Sequence, residues 1–484
     1  MRFLLLYSNT FRPRISGRVR FASTNARRWV NEVEHQASLI DGPLLDNLVE
    51  RGLLKDCSNA ESLAKDLEAG KILTMYSGAD PTAQSLHIGN LLPLITMLHF
   101  GIRGHRMIGL IGGATVMLGD PSGRTTERAK MQEEARLKNE AKITRQMKSI
   151  FDNGIAYANS KGYSCEPITM VNNKTWWAPM TFLGFMYNLG PMFRVNEMMR
   201  RESVQERMKN EHGIGFNEFT YQILQAYDFY HLFQHENCVL QIGGSDQYGN
   251  ITTGIDLIRK IVEKPTESDS SLSYGLTTPL LTSKSGAKLG KSAGNSVWLD
   301  PEMTSPFSLY QYLLNTADAD VETYLNALTL LTNSEINAIL QRHQVAPELR
   351  LAQSALAFEL CELVHGPGTG VRAETQTRIL YSKGSVSDPA KEIIAAFKGS
   401  DIYKSIPRAM FESTEMLDLV AQIDTRTRKE LRSAIIAGAV RIGRDRIECQ
   451  NPRQLLDSSL LLDDQLLLIR IGKSTTYVVE LSDS

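Results

Sequence analysis

The 484 residues are 42% apolar and 22% charged, a composition that leaves no room for extensive disorder, and the length calls for two or three domains. A formal net charge of −1 argues against a globally basic nucleic-acid coat, and no apolar run approaches the roughly 20 residues of a membrane span. Five scattered cysteines (Cys57, Cys165, Cys238, Cys361, Cys449) include no Cys-x-x-Cys pair, which argues against a disulfide framework or a zinc site.

The charge is unevenly spread. Residues 1–31 carry Arg2, Arg12, Arg14, Arg18, Arg20, Arg27 and Arg28 with no acidic residue, and Ser and Thr are interspersed. This is the composition of a mitochondrial import presequence; Leu4-Leu5-Leu6 is too short a core for a secretory signal. The remainder is then about −8, so a nucleic-acid surface must be a local patch.

In chain order, Leu44, Leu45, Leu48 and Val49 predict a short helix ending near Gly52, and a second helix runs from Ala60 to Leu67. Ile72, Leu73 and Met75 lead a buried strand into Tyr76, followed by a turn at Asp80-Pro81-Thr82. Ile88, Leu91, Leu92 and Ile95 then lie on one helical face, so His87, Gly89 and Asn90 stand at a helix start, where free backbone N–H groups receive phosphate. A second strand, Met107 to Ile111, opens into Gly112-Gly113-Ala114-Thr115 and the tight loop Gly119-Asp120-Pro121-Ser122-Gly123-Arg124. A charged helix from Glu127 to about Ile150 precedes a third strand near Ile168 to Val171, and this alternation predicts a parallel sheet with crossover helices.

On the helix from Glu218 to Phe233, Tyr221, Gln225 and Asp228 share one face. The other sides are apolar, so the polar stripe is expected to line a cavity. The strand Val239 to Ile242 runs into Gly243-Gly244-Ser245-Asp246-Gln247, the carboxyl-end position where open α/β sheets hold ligands. A helix from Ile251 to Val262 closes this unit, and Lys264 to Tyr274 reads as a solvated loop. Residues Ser283 to Ser292 form a small-residue segment with Lys288 and Lys291, fit for a flexible arm that closes over a polyphosphate. Helices without strands follow from Phe307. The tail carries Arg426, Arg428, Lys429, Arg432, Arg441, Arg444 and Arg446, a net +4 over residues 424–446 and an electrostatic footprint for nucleic acid.

Three motifs, His87-Ile88-Gly89-Asn90, Gly244-Ser245-Asp246-Gln247 and Lys288-Leu289-Gly290-Lys291-Ser292, stand in the order of a class I aminoacyl-tRNA synthetase. With Tyr76, Asp120 and the Tyr221/Gln225/Asp228 face, the chain resembles the tyrosyl-tRNA synthetases of bacterial and mitochondrial type from about residue 40 onward. The resemblance implies an α/β architecture: a Rossmann-like parallel-sheet catalytic domain (40–278) and a lysine-loop linker (279–305). An α-helical anticodon-binding domain (306–400) and a small α+β, ribosomal-protein-like RNA-binding domain (410–484) follow.

It implies activation of L-tyrosine by ATP, with Mg2+ accompanying the phosphates and no resident metal, then transfer to the 3′ end of tRNA(Tyr) in the mitochondrial matrix by a homodimer. Tyr76 and Asp228 are expected to bond the substrate's phenolic hydroxyl. Asp120, Tyr221 and Gln225 hold its ammonium, and Gln247 lies beside the carboxylate. His87, Thr82, Lys288 and Lys291 meet the phosphates as catalytic residues. Asp80, Gly89, Asn90, Gly244, Asp246 and Ser292 complete the ATP site. The family pattern departs at Asn90, where histidine is usual, at Leu289 and Ser292, and at Arg124, often lysine. A tryptophanyl-tRNA synthetase, or an RNA-binding or intron-splicing protein on the same scaffold, are the alternatives.

Overall fold

The computed structural model describes residues 40–482 except 125, 210–212, 263–271, 285, 287–288, 290, 293–294, 382–383, 412–413 and 473–474. The expected presequence and Lys288 therefore lie outside the described residues, as does most of the loop expected at Lys264 to Tyr274.

Six strands form the first sheet: β1 (Asp56–Cys57), β2 (Thr74–Ala79), β3 (Arg106–Ile111), β4 (Thr169–Asn172), β5 (Cys238–Gly244) and β6 (Tyr274–Thr278). Their spatial order is β1-β6-β5-β2-β3-β4. All neighbours run parallel except β1, which pairs antiparallel with β6 at the edge. The first three apolar strands of the sequence are all present, each shifted by a residue or two. The parallel sheet expected from the alternation is present, and the two-residue β1 adds one antiparallel edge to it. Sequence reading missed β6, fully buried but rich in Thr and Gly, and β1, too short to show periodicity.

The order reverses between β2 and β5: the chain winds outward from β2 to β4 on one side and from β5 to β6 on the other. In such sheets the crevice at the carboxyl ends of the two diverging strands receives the ligand. Asp80 follows β2, Gly112 follows β3 and Gly244 ends β5, so the candidate residues converge on that crevice.

The charged helix spans Glu133–Ser160, later and longer than the 127–150 expected. Its buried stripe (Ile143, Met147, Ile150, Phe151, Ala158) continues past residue 150, and Glu133 and Glu134 in its first turn favour that start. At Gly154 a Cβ would lie 2.6 Å from Leu98, so the glycine lets this helix press onto the Leu91–Ile102 helix.

Beyond the sheet, helices span Pro306–Leu314, Asp318–Leu328, Asn333–Val345, Leu351–His365, Thr369–Tyr381 and Ala390–Phe397. One continuous apolar cluster runs from Leu44 through the sheet to Ala373, so the first helices share a core with the catalytic sheet. Arg51, 2% exposed, joins the two. Its guanidinium donates to the carbonyls of Asn326, Thr329 and Leu331 at 3.3, 3.4 and 2.5 Å, capping the Asp318–Leu328 helix, and pairs with Asp41 at 3.5 Å.

A second sheet, of order β11-β10-β12-β13-β9, contains β9 (Tyr403–Pro407), β10 (Val440–Ile442), β11 (Ile447–Cys449), β12 (Leu466–Ile471) and β13 (Thr475–Ser482). It begins ahead of the boundary at 410 read from charge. Leu467, Ile469 and Val479 face the Met416–Ile423 and Arg428–Ile436 helices, whereas Leu466, Leu468 and Val478 pack on Ile393 and Phe397. Burial on both faces explains the unbroken apolar run Leu466-Leu467-Leu468-Ile469.

Arg51→Ala is expected to cost about 3 kcal/mol, because the buried carbonyls of Thr329 and Leu331 and the partly buried one of Asn326 lose their donor together. A lowered thermal midpoint with unchanged far-ultraviolet circular dichroism at 25 °C would agree; an unchanged midpoint would contradict the capping role.

Candidate active site

The Phe216–Glu236 helix crosses over the crevice and supplies Tyr221, Gln225 and Asp228 from one face, as expected from their spacing. Tyr221 and Asp228 are buried and Gln225 is half-buried. At one end Tyr221 donates its hydroxyl to Asp80 Oδ2 at 2.9 Å, and Thr115 Oγ1 donates to Asp80 Oδ1 at 2.6 Å. Sequence reasoning gave Asp80 to the nucleotide; its carboxylate bonds Tyr221, a residue expected at the amino acid. Asp120 stands close to it electrostatically, accepting from Ser122 N at 2.9 Å and Gln247 Nε2 at 2.8 Å. The bond from Gln247 to Asp120 ties the loop after β5 to the loop containing Asp120, and Gln247 also donates to Asp246 Oδ2 at 3.0 Å. A Cβ at Gly244 would lie 2.6 Å from Asp246 Oδ1.

These carboxylates share a low-dielectric corner. Burial pushes Asp80 up to about 7, opposed by the bonds from Thr115 and Tyr221, while neighbouring Asp120 adds to the rise and Arg128 opposes it. Burial also raises Asp120, against the bonds from Ser122 and Gln247. Two enclosed carboxylates with a phenol and an amide make a receptor for a small cation such as an ammonium.

At the other end, Asp228 is 2% exposed and accepts three bonds: Asn173 Nδ2 at 2.9 Å on Oδ2, and Trp176 Nε1 and Trp177 Nε1, both at 2.7 Å, on Oδ1. Burial raises it to about 6, against these three donors. One lone pair on Oδ2 remains uncommitted. Near it, Tyr76 is buried against Phe229, with ring centroids 5.5 Å apart, and its hydroxyl has no hydrogen-bond partner among the described residues. The charge of Asp228 contributes to raising that phenol well above its ordinary range, after burial itself. A spare acceptor and an unmatched hydroxyl at a closed apolar end fit a ligand group that both donates and accepts, as a hydroxyl does.

At the mouth, a 3₁₀ turn, Ile88–Asn90, begins at His87 and runs directly into the Leu91–Ile102 helix. Asn90 Oδ1 accepts from His87 N at 3.0 Å, which holds the turn and leaves the amide NH2 as its outward donor. At Gly89 a Cβ would meet the His87 ring at 3.0 Å. Thr82 lies in the preceding turn, with its N–H on Asp80 O at 2.8 Å.

The lysine segment forms a small antiparallel hairpin, β7 (Lys291–Ser292) with β8 (Asn295–Ser296). Its exit strand bridges back to the histidine turn: Trp298 pairs with His87, and Leu299 N donates to Leu86 O at 2.8 Å. The two motifs, distant in sequence, are thereby brought together, although Lys288 lies outside the described residues and only the backbone of Lys291 and Ser292 is described.

Sequence reasoning missed Asn173, Trp176 and Trp177, and it gave Thr115 no role. The available signal was position: Asn173 follows the third parallel strand at its carboxyl end, and two consecutive tryptophans are a costly choice for a solvated turn.

A Rossmann-type sheet, a histidine turn at a helix start and a lysine hairpin bonded to it together define a class I synthetase core. Residues 68–382 match the family described as tRNA synthetases class I (W and Y), and the chain belongs to that family. It is 38% identical over 456 residues to the mitochondrial tyrosine--tRNA ligase of Saccharomyces cerevisiae, covering 93% of this chain and 91% of the relative. It is 37% identical to the tyrosine--tRNA ligase of Flavobacterium johnsoniae, covering 90% of this chain and 99% of that one. Among solved structures, the C-terminally truncated mitochondrial tyrosyl-tRNA synthetase of Coccidioides posadasii is 36% identical. Its TM-score is 0.63, and the match covers 73% of this chain and 96% of that one. Within the family the chain thus sits on the tyrosine branch.

Because Asp80 and Asp228 titrate in the fold at about 7 and about 6 against an ordinary 3.8, the folded state binds their protons more tightly than the unfolded chain. The stability they contribute is full below the ordinary value and is lost as pH rises through 6 and 7. Asp80→Asn is therefore expected to reduce the loss of thermal midpoint between pH 5 and pH 8; a larger loss than in the parent would contradict the assignment.

Proposed function

We infer that the chain is a tyrosine--tRNA ligase. It joins L-tyrosine to AMP with release of diphosphate from ATP, then passes the tyrosyl group to the 3′-terminal ribose of tRNA(Tyr). The observation that carries the reading is the closed end of the pocket. A phenolic hydroxyl can donate to the free lone pair of Asp228 and accept from Tyr76, whereas an indole N–H only donates and would leave the Tyr76 hydroxyl unmatched. Phenylalanine would leave both groups unpaired.

In the first step the tyrosine carboxylate attacks the α-phosphorus, a P–O bond forms, and the bond to the bridging oxygen of diphosphate breaks. No side chain need act as nucleophile; the work is alignment and stabilisation of charge on the pentavalent phosphate. Asp80, Asp120, Tyr221 and Gln225 hold the ammonium, and Gln247 lies beside the attacking carboxylate. His87, Thr82, Lys288 and Lys291 meet the phosphates. Gly89, Asn90, Gly244, Asp246 and Ser292 contact the ribose, the base or the α-phosphate region. Mg2+ enters with ATP as the counterion of its phosphates. In the second step a ribose hydroxyl of tRNA attacks the mixed anhydride, and AMP leaves.

The C-terminal unit binds tRNA in this reading. Of its basic residues, Arg426, Arg428, Arg441 and Arg444 pair with Asp424, Asp418, Glu448 and Asp463, and Arg446 donates to Ile379 O. Lys429 and Arg432 stay exposed on the Arg428–Ile436 helix. The pairs of Arg428, Arg441 and Arg444 are exposed on both sides and weak enough for RNA phosphates to displace, whereas the carboxylate of Asp424 is buried. Assembly as a homodimer is supported by apolar side chains open to solvent in the single chain, with Phe182, Leu183, Tyr187 and Phe216 each at least 70% exposed. Mitochondrial relatives and the arginine-rich residues 1–31 support import to the mitochondrial matrix.

Asp228→Ala and Lys291→Ala are each expected to abolish tyrosine-dependent ATP–pyrophosphate exchange while leaving the fold intact by circular dichroism. Near-normal exchange in both, or exchange driven by tryptophan in the parent, would overturn the reading. Tyr187→Asp is expected to shift sedimentation from dimer to monomer; an unshifted dimer would remove this surface from the interface.

A further inference from the structure

The ammonium cluster and the hydroxyl-reading end are joined by a continuous buried chain of hydrogen bonds that the established chemistry does not use. Asn173 Nδ2 donates to Asp228 Oδ2 at 2.9 Å and to Thr115 Oγ1 at 3.0 Å; Thr115 Oγ1 donates onward to Asp80 Oδ1, whose other oxygen takes the Tyr221 hydroxyl.

Every proton in the chain has a forced direction. The Asn173 amide is oriented by Ala114 N–H, which donates to its Oδ1 at 2.7 Å, so both Nδ2 protons point along the chain. Thr115 therefore receives one bond and has only Asp80 to donate to. Tyr221, with its proton on Asp80, turns its lone pairs toward the crevice as an acceptor. The middle of the chain is as enclosed as its ends, with Asn173 0% and Thr115 2% exposed.

The surrounding backbone is fitted to it. Asn173 N donates to Ile111 O at the end of β3. At Gly112 a Cβ would stand 1.9 Å from Asp80 Oδ1 and 2.4 Å from Thr115 Oγ1, so the residue after β3 must lack one for the Asp80–Thr115 bond to exist.

We propose that Thr115, with Asn173, is a hydrogen-bonded spacer that fixes the separation between the ammonium-binding and hydroxyl-binding carboxylates and so selects the amino acid by the distance between its two polar ends. The inference rests on the tyrosine reading above. Thr115 is a positioning residue: it acts through Asp80 and Tyr221 on one side and through Asn173 and Asp228 on the other. A substrate whose hydroxyl sits elsewhere on the ring cannot satisfy both ends while the spacer holds.

The test is ATP–pyrophosphate exchange by the full chain, with L-tyrosine and L-meta-tyrosine as probes, for the parent, Thr115→Val and Thr115→Ser. Thr115→Val keeps the shape and removes the hydroxyl. It is expected to raise the KM for tyrosine about tenfold, with kcat and the KM for ATP changed by no more than about twofold, the scale of one lost bond to a charged group. It should also narrow the preference for tyrosine over meta-tyrosine, and Thr115→Ser should restore both values. Unchanged tyrosine KM and preference in Thr115→Val would overturn the spacer. So would a fall in kcat alone, or a loss that serine does not rescue. Should Thr115→Val not fold, Thr115→Cys, with a weak thiol donor, carries the same readouts. The parent arm separates the two claims: no tyrosine-dependent exchange there defeats the substrate reading, whereas exchange in the parent with an indifferent Thr115→Val defeats only the spacer.

Discussion

A carboxylate enclosed in a protein core stays charged near neutral pH only if donors replace the water it has lost, and Asp228 shows what that demands. It takes Asn173, Trp176 and Trp177, three donors from one short stretch, and this stretch must sit where β4 ends and the Lys174–Trp177 helix begins. The position of β4 beside β3 and the stitch from Asn173 to Ile111 follow from bringing those donors to that acid, while the absence of a side chain at Gly112 makes room for the neighbouring Asp80–Thr115 bond. The donors use most of its capacity and leave one lone pair, so solvating the charge and reserving a place for a ligand are the same arrangement.

The mouth of the pocket is built on a different rule. There two turns are held face to face. The pairing of Trp298 with His87 and of Leu299 with Leu86 fastens the lysine hairpin to the histidine turn through backbone. Lys142 adds a tether, bonding Asp300 at 2.9 Å and Glu302 at 3.0 Å. Leu289, one of the departures from the common pattern, packs against the main apolar cluster, and its N–H donates to Leu281 O at 2.9 Å.

Much of this is legible in the sequence. Strongly periodic segments announced themselves, including the Phe216–Glu236 helix with its polar face and the apolar strands that became β2, β3, β4 and β5. Motif order carried the site. What stayed hidden had physical reasons. β1 has two residues and β6 mixes Gly and Thr, so neither shows a period. Asn173 and Thr115 act by bonding other side chains across 35 to 58 residues of sequence separation, a relation that linear spacing does not contain. The boundary at 410 was drawn from a change in charge, but the second sheet is defined by burial on both faces, and its first strand carries little charge contrast. The basic stretch overstated its free charge because its partners, Asp418, Glu448 and Asp463, lie outside or at the fringe of the run.

The strand order of the C-terminal unit also dictates when it can form. β9 has a single neighbour, β13, and β13 lies between β9 and β12 although it is the latest of the three to emerge in synthesis. Until Thr475–Ser482 exists, β9 has nothing to pair with and Leu466, Leu467 and Leu468 flank an open sheet edge. The catalytic core, complete in its buried contacts by Ala373, can fold while that unit waits. A chain halted before residue 475 would therefore carry a finished catalytic body and a sticky, unclosed sheet, which would offer cellular quality control a means of telling truncated product from full-length enzyme.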